Sequence, residues 1–357
     1  MELGLSAAMR KCRGGLTSWF LGVLADVGMK AIAINEFGGP EVFQVVDVKK
    51  PEPGAGEVLI KVEASSVNPV DTKIRSGVLG GISRAFPAVL HGDVAGVVES
   101  VGEGVGGFAE GDEVYACPGG FKPLQGALAE YIVADVDLVA KRPSNLTATE
   151  AAVLPLAGIT AWDAVVDRGR VQEGMKVLLH AGCGGVGHLG VQFAKAAGAE
   201  VTTTVSTLEK AEIARGLGAD HVVLYPEREV QDYIAEYTGG TGYDLVFDTV
   251  GDENLQRSFR AMRINGMVVS IAARSEQDLT PLHTMGGTLS VTFMLLPIVT
   301  GQGRARHGEI LREMTALVES GKVRPLLDPE IFKIPDVGAA HAKLESGKAL
   351  GKIALEW

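Results

Sequence analysis

The stretch HAGCGGVGHLG, residues 180 to 190, carries two incompatible sets of functional groups. His180, Cys183 and His188 stand at short spacings that a metal ion could use, while Gly182, Gly184, Gly185, Gly187 and Gly190 give a backbone free to wrap a phosphate. The flanks decide between them. KVLLHA before the stretch is an apolar run of strand length, and VGHLGVQFAKAAGA after it has helical character, so the glycines occupy a strand-to-helix turn. Gly182, Gly184 and Gly187 fit GxGxxG. The first permits the tight turn, the second lets a pyrophosphate approach the backbone, and the third lets helix and strand pack closely, while the helix N-terminus supplies amide donors. Gly185 and Val186 complete the expected phosphate-binding turn. A metal would have to draw ligands from a strand end, a turn and the inside of a helix, whereas zinc sites prefer paired, closely spaced ligands. His180 and His188 therefore read as packed or hydrogen-bonded side chains, and Cys183 as a small filler near the phosphates.

The next strand tells which dinucleotide is expected, because an NAD site places Asp or Glu at its end to hold the ribose 2'-hydroxyl. Here that strand ends TTTVSTLEK, without an acid. Ser206, Thr207 and Lys210 offer hydroxyls and a cation where a 2'-phosphate would lie, and charge-assisted contacts to phosphate are strong, so NADPH is the expected cofactor. Lys210 as an ordinary helix-surface lysine is the alternative, and Glu209 beside it weakens the phosphate reading slightly.

The elements that must position these groups follow from periodicity. After residue 175, apolar runs such as KVLLHA, EVTTTV, HVVLY, YDLVFDTV and MVVSIAA alternate with helical patterns such as EKAEIARGLGA and LQRSFRAMRING. Strands without polar alternation are buried on both faces, which predicts a doubly wound parallel sheet covered by helices. Before that, Lys30 to Asn35, VLIKVEASSV, DVAGVVESVG, GDEVYA and ALAEYIV alternate with period two between Gly, Pro and Asp turns, which predicts a compact β domain. Between the two, Thr147 and Glu150 have capping-box spacing ahead of a helix. The tail, ending KIALEW, is too short to stand alone and is expected to return and complete the first domain. The boundaries read as 1–28 leader or extension, 29–152 first part of the β domain, 153–293 dinucleotide domain and 294–357 return segment.

Composition narrows the rest. The 357 residues include 46% hydrophobic and 22% charged, the balance of a soluble globular protein. A net charge of −11 without any basic, aromatic-interleaved run argues against nucleic acid as main partner. Three isolated cysteines, Cys12, Cys117 and Cys183, exclude a disulfide framework and fit free thiols in a reducing compartment, so the expected location is cytoplasmic. Residues 1 to 28 have basic groups and a short apolar patch around Trp19, Phe20 and Leu21, a poor signal or transit sequence that leaves organelle targeting open. The patch is far below the roughly 18 to 20 apolar residues of a membrane span. The favoured reading is an extension ahead of a second start at Met29.

From Met29 onward the chain resembles the zinc-independent medium-chain dehydrogenase/reductases, the quinone oxidoreductase or zeta-crystallin-like group. The resemblance rests on MKAIAINEFGGPEVFQVVDV, SSVNPVDTKIRSG, DVAGVVESVG, GDEVY, LPLAGITAW, AGCGGVG, VSTLEKAEIARGLGAD and FDTVG in that order. It implies a GroES-like β domain formed from both ends of the chain, with a Rossmann domain between. Zinc-dependent relatives carry Cys where this sequence has Asn68, and His immediately before the acid matching Asp93, where this sequence has Gly92; His91 is one place off. The resemblance places Asn68 and Asp71 of NPVD near a nicotinamide, gives Thr160 and Gly251 cofactor contacts, and puts Ser206, Lys210 and Tyr225 at the adenosine phosphate. NPVD alone reads as a turn, Thr160 as a helix residue and Tyr225 as a strand-end aromatic. Some quinone reductases have cleft tyrosines after NPVD, where this chain has Lys73 and Leu79. A phosphate-binding arginine near the C-terminus is replaced by Gly347, with Lys348 and Lys352 nearby.

The implied reaction is hydride transfer from NADPH to a quinone or an α,β-unsaturated carbonyl, without a metal. Charge developing on the acceptor oxygen needs a donor, and Asn68, Lys73 and Tyr115 are the candidates. A non-catalytic NADPH-binding protein and a zinc alcohol dehydrogenase are the alternatives. GGTLSVTFML alternates Leu289, Val291 and Phe293, so the strand near 288–294 could pair across a two-fold axis in a homodimer, or be internal.

Overall fold

The computed structural model describes residues 28–357, so residues 1–27 of the expected leader, Cys12 among them, lie outside the described residues, while its last residue, Gly28, opens the first strand. Sixteen strands are described: β1 (Gly28–Ile34), β2 (Phe43–Lys49), β3 (Glu57–Val67), β4 (Ala88–Val89), β5 (Val94–Val101), β6 (Glu113–Ala116), β7 (Tyr131–Asp135), β8 (Val139–Lys141), β9 (Lys176–Leu179), β10 (Glu200–Val205), β11 (His221–Leu224), β12 (Tyr243–Asp248), β13 (Met262–Ser270), β14 (Thr288–Val291), β15 (Phe332–Lys333) and β16 (Ile353–Glu356).

β9 to β14 form a single sheet in the order β11-β10-β9-β12-β13-β14, every pairing parallel. This is the Rossmann order, in which the chain starts at the centre and reverses direction between β9 and β12, opening a crevice at the strand ends. Val177, Leu179, Val201 and Phe247 pack into the main core on one face, and Leu178, Val223, Val246 and Val268 into a second cluster on the other. Burial on both faces is why these strands lack polar alternation. The helix expected over LQRSFRAMRING ends at Ala261, and β13 begins at Met262, whose backbone is extended. Within GGTLSVTFML, Thr288–Val291 is the outer strand of this sheet, paired with β13 on one side, and not an internal strand.

The β domain, expected to be GroES-like, uses a second sheet, β15-β16-β3-β5-β6-β8 with β7 on β3, and a small sheet β2-β1-β4. β16 lies antiparallel to β3, with Ile353 opposite Val67, so the last residues of the chain complete a sheet begun nearly 300 positions earlier. The junction uses the predicted capping box: Thr147 N–H donates to Glu150 Oε2 at 2.8 Å and Glu150 N–H to Thr147 Oγ1 at 3.2 Å. The helical run Ala148–Arg168 that follows is apolar and long enough to cross a membrane, but most of it is buried within the fold.

Candidate active site in the cleft between the domains

β9 ends at Leu179 and the helix Gly187–Ala196 begins eight residues later, with Ala181 in a left-handed conformation (φ 56°) that bends the chain into the turn. A Cβ on Gly182 would lie 2.2 Å from Thr203 Oγ1, and one on Gly187 2.1 Å from the Ala181 carbonyl oxygen. These two glycines therefore let turn, strand and helix close on one another. Gly184, Gly185, Val186 and Gly187 line a cleft of about 350 Å³, leaving the turn's surface open to a ligand.

The histidines and cysteine of the turn do not converge. His180 Nδ1 lies 3.2 Å from Thr204 Oγ1, His188 Nδ1 is 2.9 Å from the Gly184 carbonyl oxygen, and Cys183 Sγ donates to the Lys210 carbonyl at 3.1 Å. Burial holds both imidazoles near a pKa of about 4 and pushes the Cys183 thiol up to about 11. Cys117, fully buried on the other domain, is pushed well up by burial and then by the carboxylates of Asp93 and Asp71. Both thiols are free.

Where the adenosine end is expected from sequence, Ser206 is half-buried just after β10, and the exposed Thr207 caps the helix Leu208–Gly216 by accepting from the Lys210 N–H at 3.2 Å. The Lys210 side chain is half-buried and has no carboxylate partner among the described residues. Tyr225, half-exposed after β11, lines a small groove of about 60 Å³ with Thr204, Arg228, Asn254 and Arg257. Those last three were missed in the sequence, although each follows the C-terminal end of a parallel strand, where such sheets bind ligands. Gly251 does not line the cleft. With φ 82° it forms the turn after β12, its N–H donating to Asp248 Oδ1 at 2.6 Å, and that turn presents Thr249 and Val250 to the cleft.

The opposite wall comes from NPVD. β3 ends at Val67, Asn68 is extended (φ −123°, ψ 153°), and Pro69 starts the short helix Pro69–Arg75. Asn68, Lys73 and Leu79 line the cleft, as does Thr160, whose hydroxyl donates to the Leu156 carbonyl at 2.6 Å. Lys73 is exposed there. Asp71 lies beneath the wall, not on it: Oδ2 accepts the Asn68 N–H at 2.8 Å, and Oδ1 has no partner. Burial, reinforced by Asp93 and opposed by the Asn68 N–H, pushes its carboxyl up to about 7.

Asp93 organises this wall. Oδ2 accepts from Ser66 Oγ at 2.6 Å and Asn68 Nδ2 at 2.8 Å, and Oδ1 accepts from the Leu156 N–H at 2.7 Å. Lys352 Nζ approaches the same Oδ2 at 3.4 Å and also donates to the Val67 carbonyl at 3.1 Å and to Asn68 Oδ1. Burial lowers its pKa, and Asp93 and Asp71 oppose that. Lys352, expected from sequence at the cofactor phosphate, thus turns its ammonium toward Asn68 and only its methylenes toward the glycine turn.

Tyr115 is a correction. It is wholly buried on β6, its hydroxyl donating to the Leu311 carbonyl at 2.6 Å with Thr315 Oγ1 at 3.0 Å. Strand alternation aims it at the helix Arg304–Glu319 and away from the cleft, and a buried phenol needs such a partner. His91, one place from the position where zinc-dependent relatives carry His, pairs instead with His341, Nε2 to Nε2 at 2.8 Å, and burial holds both well below the usual imidazole range.

Residues 185–319 match the zinc-binding dehydrogenase family and residues 54–144 the alcohol dehydrogenase GroES-like domain. The chain is 33% identical to a quinone oxidoreductase of Rattus norvegicus over 330 residues, covering 92% of this chain and 97% of that one. The chain belongs to the medium-chain dehydrogenase/reductase family. Within that family it is also 34% identical to the chloroplastic NADPH-dependent alkenal/one oxidoreductase of Arabidopsis thaliana, over 92% of this chain and 79% of that one. Among solved structures, an alcohol dehydrogenase superfamily protein from Novosphingobium aromaticivorans matches with a TM-score of 0.88 and 40% identity, covering 93% of this chain and all of that one. As a medium-chain dehydrogenase/reductase, the chain has its family's two domains, and its cleft lies between the glycine turn of one and the NPVD wall of the other.

Proposed function

We propose that the protein is an NADPH-dependent oxidoreductase that reduces a quinone or an α,β-unsaturated carbonyl without a metal. One observation carries this reading: a single cleft joins an open glycine turn to a wall holding Asn68 and Lys73. The turn suits a pyrophosphate because its packing glycines are closed from behind and Gly184 to Gly187 face the cleft. Lys210, Ser206 and the Tyr225 groove with Arg228 and Arg257 would hold the adenosine end and its 2'-phosphate. Thr160 and Thr249 would border the nicotinamide.

NADPH, when bound, supplies a hydride. This chain's residues orient the acceptor and stabilise the charge that the incoming electron pair leaves on its oxygen. Asn68 and the exposed Lys73 face the space where that oxygen would lie, and the apolar side chains of Leu79, Leu156, Phe293 and Met294 flank the acceptor's carbon frame. The metal-free part rests on space and bonding. A Cβ on Gly92 would lie 2.9 Å from Cys117 Sγ and 3.0 Å from the Phe121 ring, so the imidazole of zinc-dependent relatives has no room there. Asn68, where they carry a thiolate ligand, is held by Asp93 and Lys352.

We further propose a homodimer through the outer edge of β14, with the exposed Val291 and Phe293 at the joint, and a cytoplasmic location in keeping with unpaired cysteines. NADPH oxidation with a panel of quinones and small enones tests the activity. Tight NADPH binding with no turnover of any of them would favour a binding protein, and one zinc per chain by elemental analysis would overturn the metal-free reading. Light scattering tests the dimer.

A further inference from the structure

Lys352 stands between the two walls of the cleft. Its methylene stem lies against Gly185, where an added Cβ would come 3.1 Å from Cδ, and its ammonium extends under Asn68. There three acceptors meet it: the Val67 carbonyl, Asn68 Oδ1 and Asp93 Oδ2. An ammonium has three N–H donors, so none remains for an anion in the cleft.

Asn68 is the route by which that charge reaches the cleft. Its Oδ1 accepts from the ammonium and one Nδ2–H donates to Asp93 Oδ2, which fixes the direction of the carboxamide. The second Nδ2–H has no partner among the described residues, and Asn68 lines the cleft. Linked hydrogen bonds polarise one another in a buried setting, so a cation on the amide oxygen strengthens the amide N–H as a donor. Asp93, itself held by Ser66 and the Leu156 N–H, offsets the buried charge and keeps the pair in register.

We propose that Lys352 is a positioning residue: its ammonium orients and polarises the Asn68 carboxamide, whose free N–H donates to the acceptor oxygen as charge develops there. The proposal rests on the function proposed above. In that reaction the hydride and its electron pair form the new C–H bond at the β carbon of an enone. The π pair moves to leave an enolate, Asn68 keeps its proton while hydrogen-bonding to the enolate oxygen, and water returns a proton to the α carbon.

The test is a double-mutant cycle of Lys352→Met, which keeps the stem against Gly185, with Asn68→Ala. kcat is measured with an acceptor that the wild type reduces, and NADPH affinity by fluorescence titration. Each single variant is expected to lower kcat about ten- to a hundredfold, the loss of a charge-assisted donor, with the double variant no slower than Asn68→Ala alone. NADPH affinity is expected to stay within about threefold in all of them. Losses that multiply would overturn the proposal. So would a Lys352→Met that binds NADPH more than about tenfold more weakly at unchanged kcat, since the ammonium would then serve the cofactor directly. Because Lys352→Met leaves Asp93 without its counter-charge, the pair variant Asp93→Asn with Lys352→Met is carried alongside and its melting checked. A folded pair variant with normal turnover overturns the proposal. Absence of wild-type turnover would overturn the proposed function and this role together, whereas wild-type turnover with multiplying losses overturns the role alone.

Discussion

The two walls of the cleft are built by different means. The glycine wall is backbone: one continuous stretch, 182–187, between a strand and a helix that fold it locally. The opposing wall is side chain, a buried cluster whose members come from the end of β3, the start of β5 and the start of β16, with Lys352 contributing 284 positions after Asn68. A backbone site depends on the absence of Cβ atoms, while a side-chain site depends on the satisfaction of each polar group. They should therefore break differently.

The largest effect is expected on the backbone wall. Gly187→Val would place its Cβ 2.1 Å from the Ala181 carbonyl oxygen, a clash with main chain that no rotamer relieves. NADPH affinity by titration should fall more than about a hundredfold, or the protein should fail to fold. A soluble variant with normal affinity would show that the turn yields, and the contrast between the walls would collapse. A smaller change is expected at the same wall's charged end. Lys210→Met should lower the preference for NADPH over NADH in kcat/KM by about ten- to a hundredfold, because it would remove the charge-assisted contact proposed for the 2'-phosphate. An unchanged preference would assign the 2'-phosphate to Arg228 or Arg257.

On the side-chain wall, the sign of a pH dependence separates burial from bonding. Asp71 is pushed from an ordinary 3.8 to about 7 by burial, so the folded state retains a proton that the unfolded chain releases. The stability this gives is full below about pH 4 and is lost as pH rises toward 7. Asp71→Asn cannot titrate, so its melting temperature relative to wild type should climb between pH 4 and 7 and level off above. A difference independent of pH would mean that the carboxyl is solvated. The buried His91 and His341 act in the opposite direction, favouring the folded state as pH rises toward their ordinary range, and both proteins share that slope. The smallest effect is expected from Tyr115→Phe, which removes the bonds to Leu311 and Thr315. Unfolding free energy should drop by about 1 kcal/mol with kcat unchanged. A slowed turnover would return Tyr115 to the cleft.

The same contrast explains what could be read from sequence. GxGxxG, the acid-free end of β10 and the Thr147–Glu150 cap are local, because each depends on residues a few positions apart whose spacing alone sets the geometry. The doubly wound parallel sheet, though not its strand order, followed from apolar runs for the same reason. The other wall was legible only as a list. Asn68 and Lys73 do reach the cleft, but Asp71 lies under it, Tyr115 belongs to a helix contact and Lys352 faces the opposite side of the cleft from the one expected. No periodicity encodes which of two buried partners a lysine head will meet when the partners arrive from distant strands. In sequence Asp93 stands out only as the acid beside Gly92, although in the fold this one buried carboxylate accepts four donors and is the centre of the cluster.

The placement of the two described cysteines has a bearing on durability. Quinones and enones are soft electrophiles that add to thiolates, so a protein that concentrates them in a cleft risks alkylating itself. Cys117 and Cys183 are buried, and both thiols are held protonated well past neutrality. Although Cys183 sits within the glycine turn, its sulfur is tied to the Lys210 carbonyl, and it offers the substrate no competing nucleophile.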